Sequence, residues 1–190
     1  MRCRCFRSIG LLVGLAAATV ASARADLMIR APDDLPISAS VTAEQLWQVF
    51  DHALPAGVWI SPLEAPAYQI VPARWMRRTF LPALKEQMHG FWAQNLPMED
   101  SAANCSGFAL ICRLMLNLSA MHARAHAPAV ASVIVKQDHP FGGLSATREN
   151  HCVIFVLTDE GPWILEAQSG IYIAALQYPN RATIRLVSVH

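Results

Sequence analysis

Three residues in this chain have the types needed for covalent catalysis: Cys105, His151 and Glu166. A thiolate attacks, an imidazole moves the proton, and a carboxylate fixes the imidazole in one tautomer. Cys105 stands at the start of "CSGFALICRLMLNLSAMHARA", a long apolar pattern of helical period, behind the polar run "EDSAAN". The first backbone N–H groups of a helix lack intrahelical partners, and the positive end of the dipole lies there. Both favour thiolate. A thiol pKa falls from ~8.5 to ~3.5–7.5 at a helix N-terminus or beside an imidazolium. The same N–H groups can hold the oxyanion of an acyl-transfer intermediate. Asn104 and Ser106 flank the thiol and are both capping residues, so Asn104 is also a candidate at the oxyanion position. A buried structural cysteine, or half of a disulfide, fits this segment equally well.

His151 opens "HCVIFVLT", a strand pattern whose alternation puts His151, Val153, Phe155 and Leu157 on one face. Glu166 ends the apolar run "PWILE" across the turn "DEG". The midpoint between His151 and Glu166 falls at Thr158–Asp159, so the two side chains are expected as neighbours on paired strands. A carboxylate among apolar neighbours needs a partner, and an imidazole supplies one. Gln168 shares the Glu166 face and is a candidate for holding substrate or the histidine. Gln94 and Asn95, upstream of the cysteine, are further oxyanion candidates. Trp75 and Trp163 suit a core better than a cleft wall. His122 and His126 have i, i+4 spacing but no evident third ligand, so a solvated helix end is the expectation.

These residues need a scaffold. "TAEQLWQVFDHAL" reads as an amphipathic helix with Leu46, Val49, Phe50 and Leu54 on one face, ended by Pro55 and Gly57. "GVWISPLEAPAYQIVP" reads as an extended loop with one short edge strand. "ARWMRRTFLPALKEQMHGFWAQ" is a second helical region, with a break or kink expected near Leu81 because Pro82 sits inside it. In the cysteine helix, Phe108, Ala109, Cys112, Met115 and Leu116 form one stripe. Leu110, Ile111, Leu114 and Leu118 widen it almost all round, which predicts burial on more than one side. Beyond Pro128 the period changes. "AVASVIV", "HCVIFVLT", "PWILEAQ" and "ATIRLVSV" read as short strands. Helices followed by strands give an α+β fold, with a central buried helix on an antiparallel sheet. "HPFGGLSATREN", with its glycine pair, precedes His151 as a polar loop suited to a flap or substrate loop.

The N-terminus reads as an export signal. Arg2, Arg4 and Arg7 precede the apolar "IGLLVGLAAATVA", and "ARA" ends at a small-x-small site after Ala25. The expected organisation is a signal peptide over 1–25 and one domain over 26–190, exported to a periplasmic or extracellular space. Loss of the signal removes Arg2, Arg4, Arg7 and Arg24, leaving 11 basic residues against 14 acidic ones, a formal charge of −3. No polybasic nucleic-acid surface is expected, and no membrane association once the signal is gone. Cys105, Cys112 and Cys152 remain, an odd number for an oxidising compartment. A Cys112–Cys152 disulfide that leaves Cys105 free accounts for the count.

"NCSGFA", "ENHCVIFV" and "WILEAQSG", in that order, resemble the papain-like C-terminal protease domains of the Marasmius oreades agglutinin and its bacterial relatives. "VPARWMRRTFLPAL" resembles the tryptophan-containing segment ahead of their cysteine. The resemblance covers roughly residues 68–177 and implies a papain-like fold with a Cys–His–Glu triad. It puts the nucleophile on Cys105, the base on His151 and the orienting acid on Glu166, acting on a peptide or protein substrate. It does not extend to the lectin half of the fungal protein, so sugar binding is not implied. Ser106-Gly107 replaces the usual acidic residue after the cysteine, and Ala167 stands where a proline is expected. The fungal domain uses calcium; Glu99, Asp100, Asp138 and Glu149 are scattered acids without a calcium-loop signature. The expectation is therefore a cysteine hydrolase with no cofactor established by sequence. Alternatives are a cell-wall amidase or endopeptidase of the NlpC type and a catalytically inactive binding module of the same fold.

Overall fold

The computed structural model describes residues 29–93 and 104–189. It contains two packed layers of helix around a central sheet. Ser40–Thr42 (β1) pairs antiparallel with Ala67–Gln69 (β3) in a small ribbon. Between them lie Ala43–Ala53 (α1) and Trp59–Ile60 (β2). Thr42 opens α1 with a capping box: its hydroxyl takes the Gln45 N–H, and the Gln45 side chain takes the Thr42 N–H.

Next come Ala73–Trp75 (α2), one π-helical turn over Met76–Phe80, and Leu81–Ala93 (α3), as one continuous helical run. The break or kink expected near Leu81 is a π-turn, not a break. Pro82 has no N–H, and in an α-helix its ring meets the carbonyl four residues back. The π-turn, in which the Leu81 N–H reaches the Met76 carbonyl, widens the backbone just ahead of it.

The six-stranded sheet runs in the order β2, β8, β4, β5, β6, β7. Its strands are Val130–Lys136 (β4), Asn150–Thr158 (β5), Gly161–Glu166 (β6), Ile171–Ala174 (β7) and Ile184–Ser188 (β8), with β2 at one edge. Neighbours are antiparallel except β2 and β8, which are parallel. The expected antiparallel sheet is thus a mixed one. The short edge strand expected in "GVWISPLEAPAYQIVP" is β2, and it runs parallel to β8; β7 adds a strand at the other edge.

Cys105–His122 (α4) lies on one face with α3, packing against Cys152, Ile154, Val156, Trp163 and Leu165. On the other face α1 sets Leu46 and Phe50 against Val153, Phe155 and Ile164. Alternation along β5 feeds both cores, so the strand is buried over nearly its whole length. The α4 stripe Phe108, Ala109, Cys112, Met115 and Leu116 is buried as expected. The wider burial is not: Leu110 and Leu114 are 61% and 39% exposed, because the sheet and α3 take only one side of α4.

Candidate active site

Cys105 is the first residue of α4, and Asn104 is its N-cap. The Asn104 side-chain oxygen accepts the Gly107 N–H at 2.9 Å, and the Phe108 N–H reaches the Asn104 carbonyl at 3.0 Å. The N–H groups of Cys105 and Ser106 lie ahead of that ladder, at the positive end of the helix. The half-buried thiol therefore begins in a field that favours its anion.

Register brings the base and the acid together. β5 and β6 pair from Thr158↔Gly161 to Ile154↔Leu165. Continued one rung, Glu166 lies opposite Val153 and diagonal to His151, on the face shared by Val153 and Ile164. Diagonal partners are within reach of long side chains. His151 Nε2 stands 2.5 Å from Glu166 Oε2, a charge-assisted distance, with His151 8% and Glu166 1% exposed. The second carboxylate oxygen, Oε1, accepts the Gln168 backbone N–H at 3.1 Å. With Nε2 committed to Glu166, Nδ1 is the ring nitrogen left for sulfur, and the His151 ring is hydrogen-bonded to the Cys105 thiol.

The backbone N–H of Cys152 and the Ser106 hydroxyl also bond the sulfur. Cys152 is available because the β5–β6 ladder stops at Ile154↔Leu165. The Cys105 pKa is lowered: the His151 hydrogen bond is the largest influence, burial opposes it, and the Cys152 N–H and Ser106 hydroxyl add to it. For His151, burial is the largest single influence and disfavours the cation. The bonds to Cys105 and Glu166, with their charges, outweigh it and raise the pKa to about 9. Thiolate and imidazolium stabilise each other. The other two cysteines go the opposite way, since burial pushes Cys152 up to about 12 and raises Cys112 as well.

Cys105, His151 and Glu166 thus meet. The other candidates fare differently. Asn104 is next to the thiol, but its oxygen is spent on the helix cap. Gln168 supports Glu166 through its backbone, from the turn after β6, rather than through its side chain. Gln94, Asn95, Glu99 and Asp100 lie outside the described residues. Trp75 and Trp163 are core residues, 8% and 5% exposed, with Trp163 stacked on Tyr172 at 4.2 Å. Cys112 and Cys152 are buried free thiols, not a disulfide. His126 is not on α4 with His122, because the helix ends at His122 and Arg124 turns the chain at φ 54°.

Among the described residues no three His, Cys, Asp or Glu side chains converge, and Asp138 is paired with Lys136 at 3.2 Å. The contribution of the Cys152 N–H was invisible to sequence reading because it is a backbone group. Its signal is the rung at which a hairpin ladder ends.

No family model matches the chain, and no curated protein does. Solved structures do. A crystal structure of the Polyporus squamosus lectin bound to Neu5Aca2-6Galb1-4GlcNAc superposes at TM-score 0.53 with 11% identity, covering 79% of this chain and 49% of the lectin. A structure described as "PSL1a-E64 complex" gives TM-score 0.49 with 12% identity, over 79% of this chain and 51% of the other. The chain therefore shares a mixed α+β fold with part of a fungal lectin and spans about half the length of these neighbours.

Proposed function

We propose that the chain is an exported cysteine hydrolase of papain-like type that cleaves amide bonds through Cys105, His151 and Glu166. The observation that carries the reading is the double engagement of His151: Glu166 at 2.5 Å on Nε2 and the Cys105 thiol on the same ring. His151 holds the Cys105 proton, and the thiolate attacks the substrate carbonyl. The first-turn N–H groups of α4 face the developing oxyanion. The imidazolium protonates the leaving amine, the C–N bond breaks, and the thioester remains on Cys105. Water, deprotonated by His151, releases the acid and restores the thiol. A peptide or protein is the substrate, and the compartment is the periplasm or the exterior.

The test is iodoacetamide labelling of native protein against pH, followed by digestion of denatured protein substrates and of muropeptides. Rapid labelling at Cys105 well below pH 8, and cleavage lost in Cys105→Ala, support the reading. Cleavage of muropeptides alone makes the enzyme a cell-wall hydrolase. Slow labelling, with no cleavage, removes catalysis.

A second reading is a non-catalytic binding module. The comparisons lean this way, since the Polyporus squamosus lectin of similar fold was crystallised with a sialylated trisaccharide. A carbohydrate ligand is the partner this reading supplies. Saturable binding of that trisaccharide, unchanged in Cys105→Ala, would favour it.

A further inference from the structure

Phe141 to Leu144 form a tight two-residue hairpin turn. The Phe141 N–H reaches the Leu144 carbonyl at 3.1 Å, and the Leu144 N–H reaches the Phe141 carbonyl at 3.0 Å. The two central residues, Gly142 and Gly143, have φ of 64° and 84°. Positive φ at both central positions makes a type I′ turn, the geometry that suits glycine and asparagine. The stems are pinned. Asn180, 1% exposed, accepts the His139 N–H at 2.6 Å and donates to the His139 carbonyl at 2.9 Å. Gln137 donates from its side chain to the Ser145 carbonyl at 2.9 Å, and Phe141 packs edge-on to Tyr178 at 5.0 Å. The loop read from sequence as a flap or substrate loop thus carries a clamped turn at residues 141–144.

Its two glycines differ in what they face. A Cβ on Gly142 would stand 2.5 Å from Glu166 Cγ, 2.6 Å from Glu166 Cβ and 3.3 Å from Ser169 Oγ. A Cβ on Gly143 would meet nothing within 4 Å. Those Glu166 atoms are not a free end that swings aside, because both carboxylate oxygens are already bonded, to His151 and to the Gln168 N–H.

We propose that Gly142 is a positioning residue: the 141–144 turn lies on the Glu166 methylenes, keeps its carboxylate dry, and holds it aimed at His151. The inference rests on the reading that His151 and Glu166 serve Cys105. Water excluded from a hydrogen-bonded pair strengthens the pair. Any side chain at 142 pushes Glu166 off its bond to the imidazole and weakens the thiolate–imidazolium pair two residues away from the intrusion. The contact acts through Glu166; Gly142 touches no reacting atom.

Asparagine tolerates the left-handed conformation of both positions, so Gly142→Asn and Gly143→Asn impose similar backbone demands and differ at Glu166. The measurement is iodoacetamide labelling of Cys105 against pH in purified protein. Gly142→Asn is expected to slow labelling at pH 6 by about tenfold or more, the effect of one lost pKa unit of thiolate stabilisation, and to move the acid limb upward. Gly143→Asn keeps the wild-type profile. In a Glu166→Ala background, Gly142→Asn adds nothing further. A wild-type profile in Gly142→Asn overturns the proposal. So does an equal shift in Gly143→Asn, or a tenfold loss that persists without Glu166. If circular dichroism shows Gly142→Asn unfolded, Asn180→Ala replaces it: an upward acid limb is expected, and an unchanged one overturns the proposal. If Glu166→Ala itself labels like wild type, the underlying triad reading has failed instead.

Discussion

His151 and Glu166 are diagonal neighbours across the β5–β6 hairpin, and the offset is what lets an imidazole and a carboxylate meet end to end at 2.5 Å. Directly opposed, the two side chains would stand parallel. Two residues out of register, each leans toward the other, and Nδ1 of His151 is left free of Glu166.

Removing the imidazole should strip the thiol of its strongest influence. His151→Ala is expected to slow Cys105 labelling at pH 6 by about 10²-fold, as the thiol returns toward its ordinary pKa. Mass spectrometry of the alkylated peptide reads this directly.

The pH dependence has a defined sign. The reactive ion pair forms above the lowered Cys105 pKa and persists until His151 deprotonates near about 9. Hydrolysis should follow a bell, rising on the acid side below the usual thiol range and falling above about 9, where the leaving amine loses its proton donor. Stability should change with it. His151 has a folded pKa above its ordinary 6.5, so its contribution is complete below that value and lost as pH rises through about 9. The urea midpoint difference between wild type and His151→Gln should shrink between pH 7 and pH 10.

Glu166→Gln keeps the shape of the buried acid and removes its charge. The imidazolium loses a partner at 1% exposure, so the His151 pKa should fall. A decrease of roughly 10–10²-fold in hydrolysis is expected from weakened orientation and charge support. A histidine NMR titration measures the pKa separately from the rate.

Asn104 separates helix capping from thiolate support. Asn104→Ala should cost about 1 kcal/mol of stability through the lost bond to the Gly107 N–H. Asn104→Asp keeps the cap and suits the dipole, yet puts a negative charge beside Cys105. Thermal unfolding should show Asn104→Asp as stable as wild type, while labelling at pH 6 slows.

Among Cys105, Cys112 and Cys152, only Cys105 should react in the native protein. Cys112 is fully buried and Cys152 is 3% exposed, both with raised pKa values. Alkylation without denaturant should modify one of these three residues, and alkylation in urea should modify all three. Early modification of Cys152 would contradict the burial found here.

Much of this was legible in the residues. The helix at Cys105, the strand at His151 and the hairpin to Glu166 follow from period, capping residues and the "DEG" turn. The α+β class follows from the switch of period after Pro128. The expected neighbours His151 and Glu166 do meet, with the turn centred at Asp159–Glu160, one residue past the midpoint, so that they stand two residues out of register rather than opposed. Pro82 marked an irregularity near Leu81, but its form, a π-turn inside a continuous run rather than a break, was not legible. The short edge strand in the proline-rich stretch was legible, but not that it runs parallel, since its pairing depends on β8, far along the chain. Leu110 and Leu114 misled because apolar pattern gives the capacity for burial, and only packing decides whether a partner arrives.

The early end of the β5–β6 ladder has a cost for redesign. Cys105 packs with the α4 core, and β6 pairing stops at Ile154↔Leu165, two residues before Cys152. A hairpin lengthened by two residues on each strand would be more β-like and better bonded. It would also claim the Cys152 N–H for the Ala167 carbonyl, leaving a tidier sheet whose thiolate has one donor fewer.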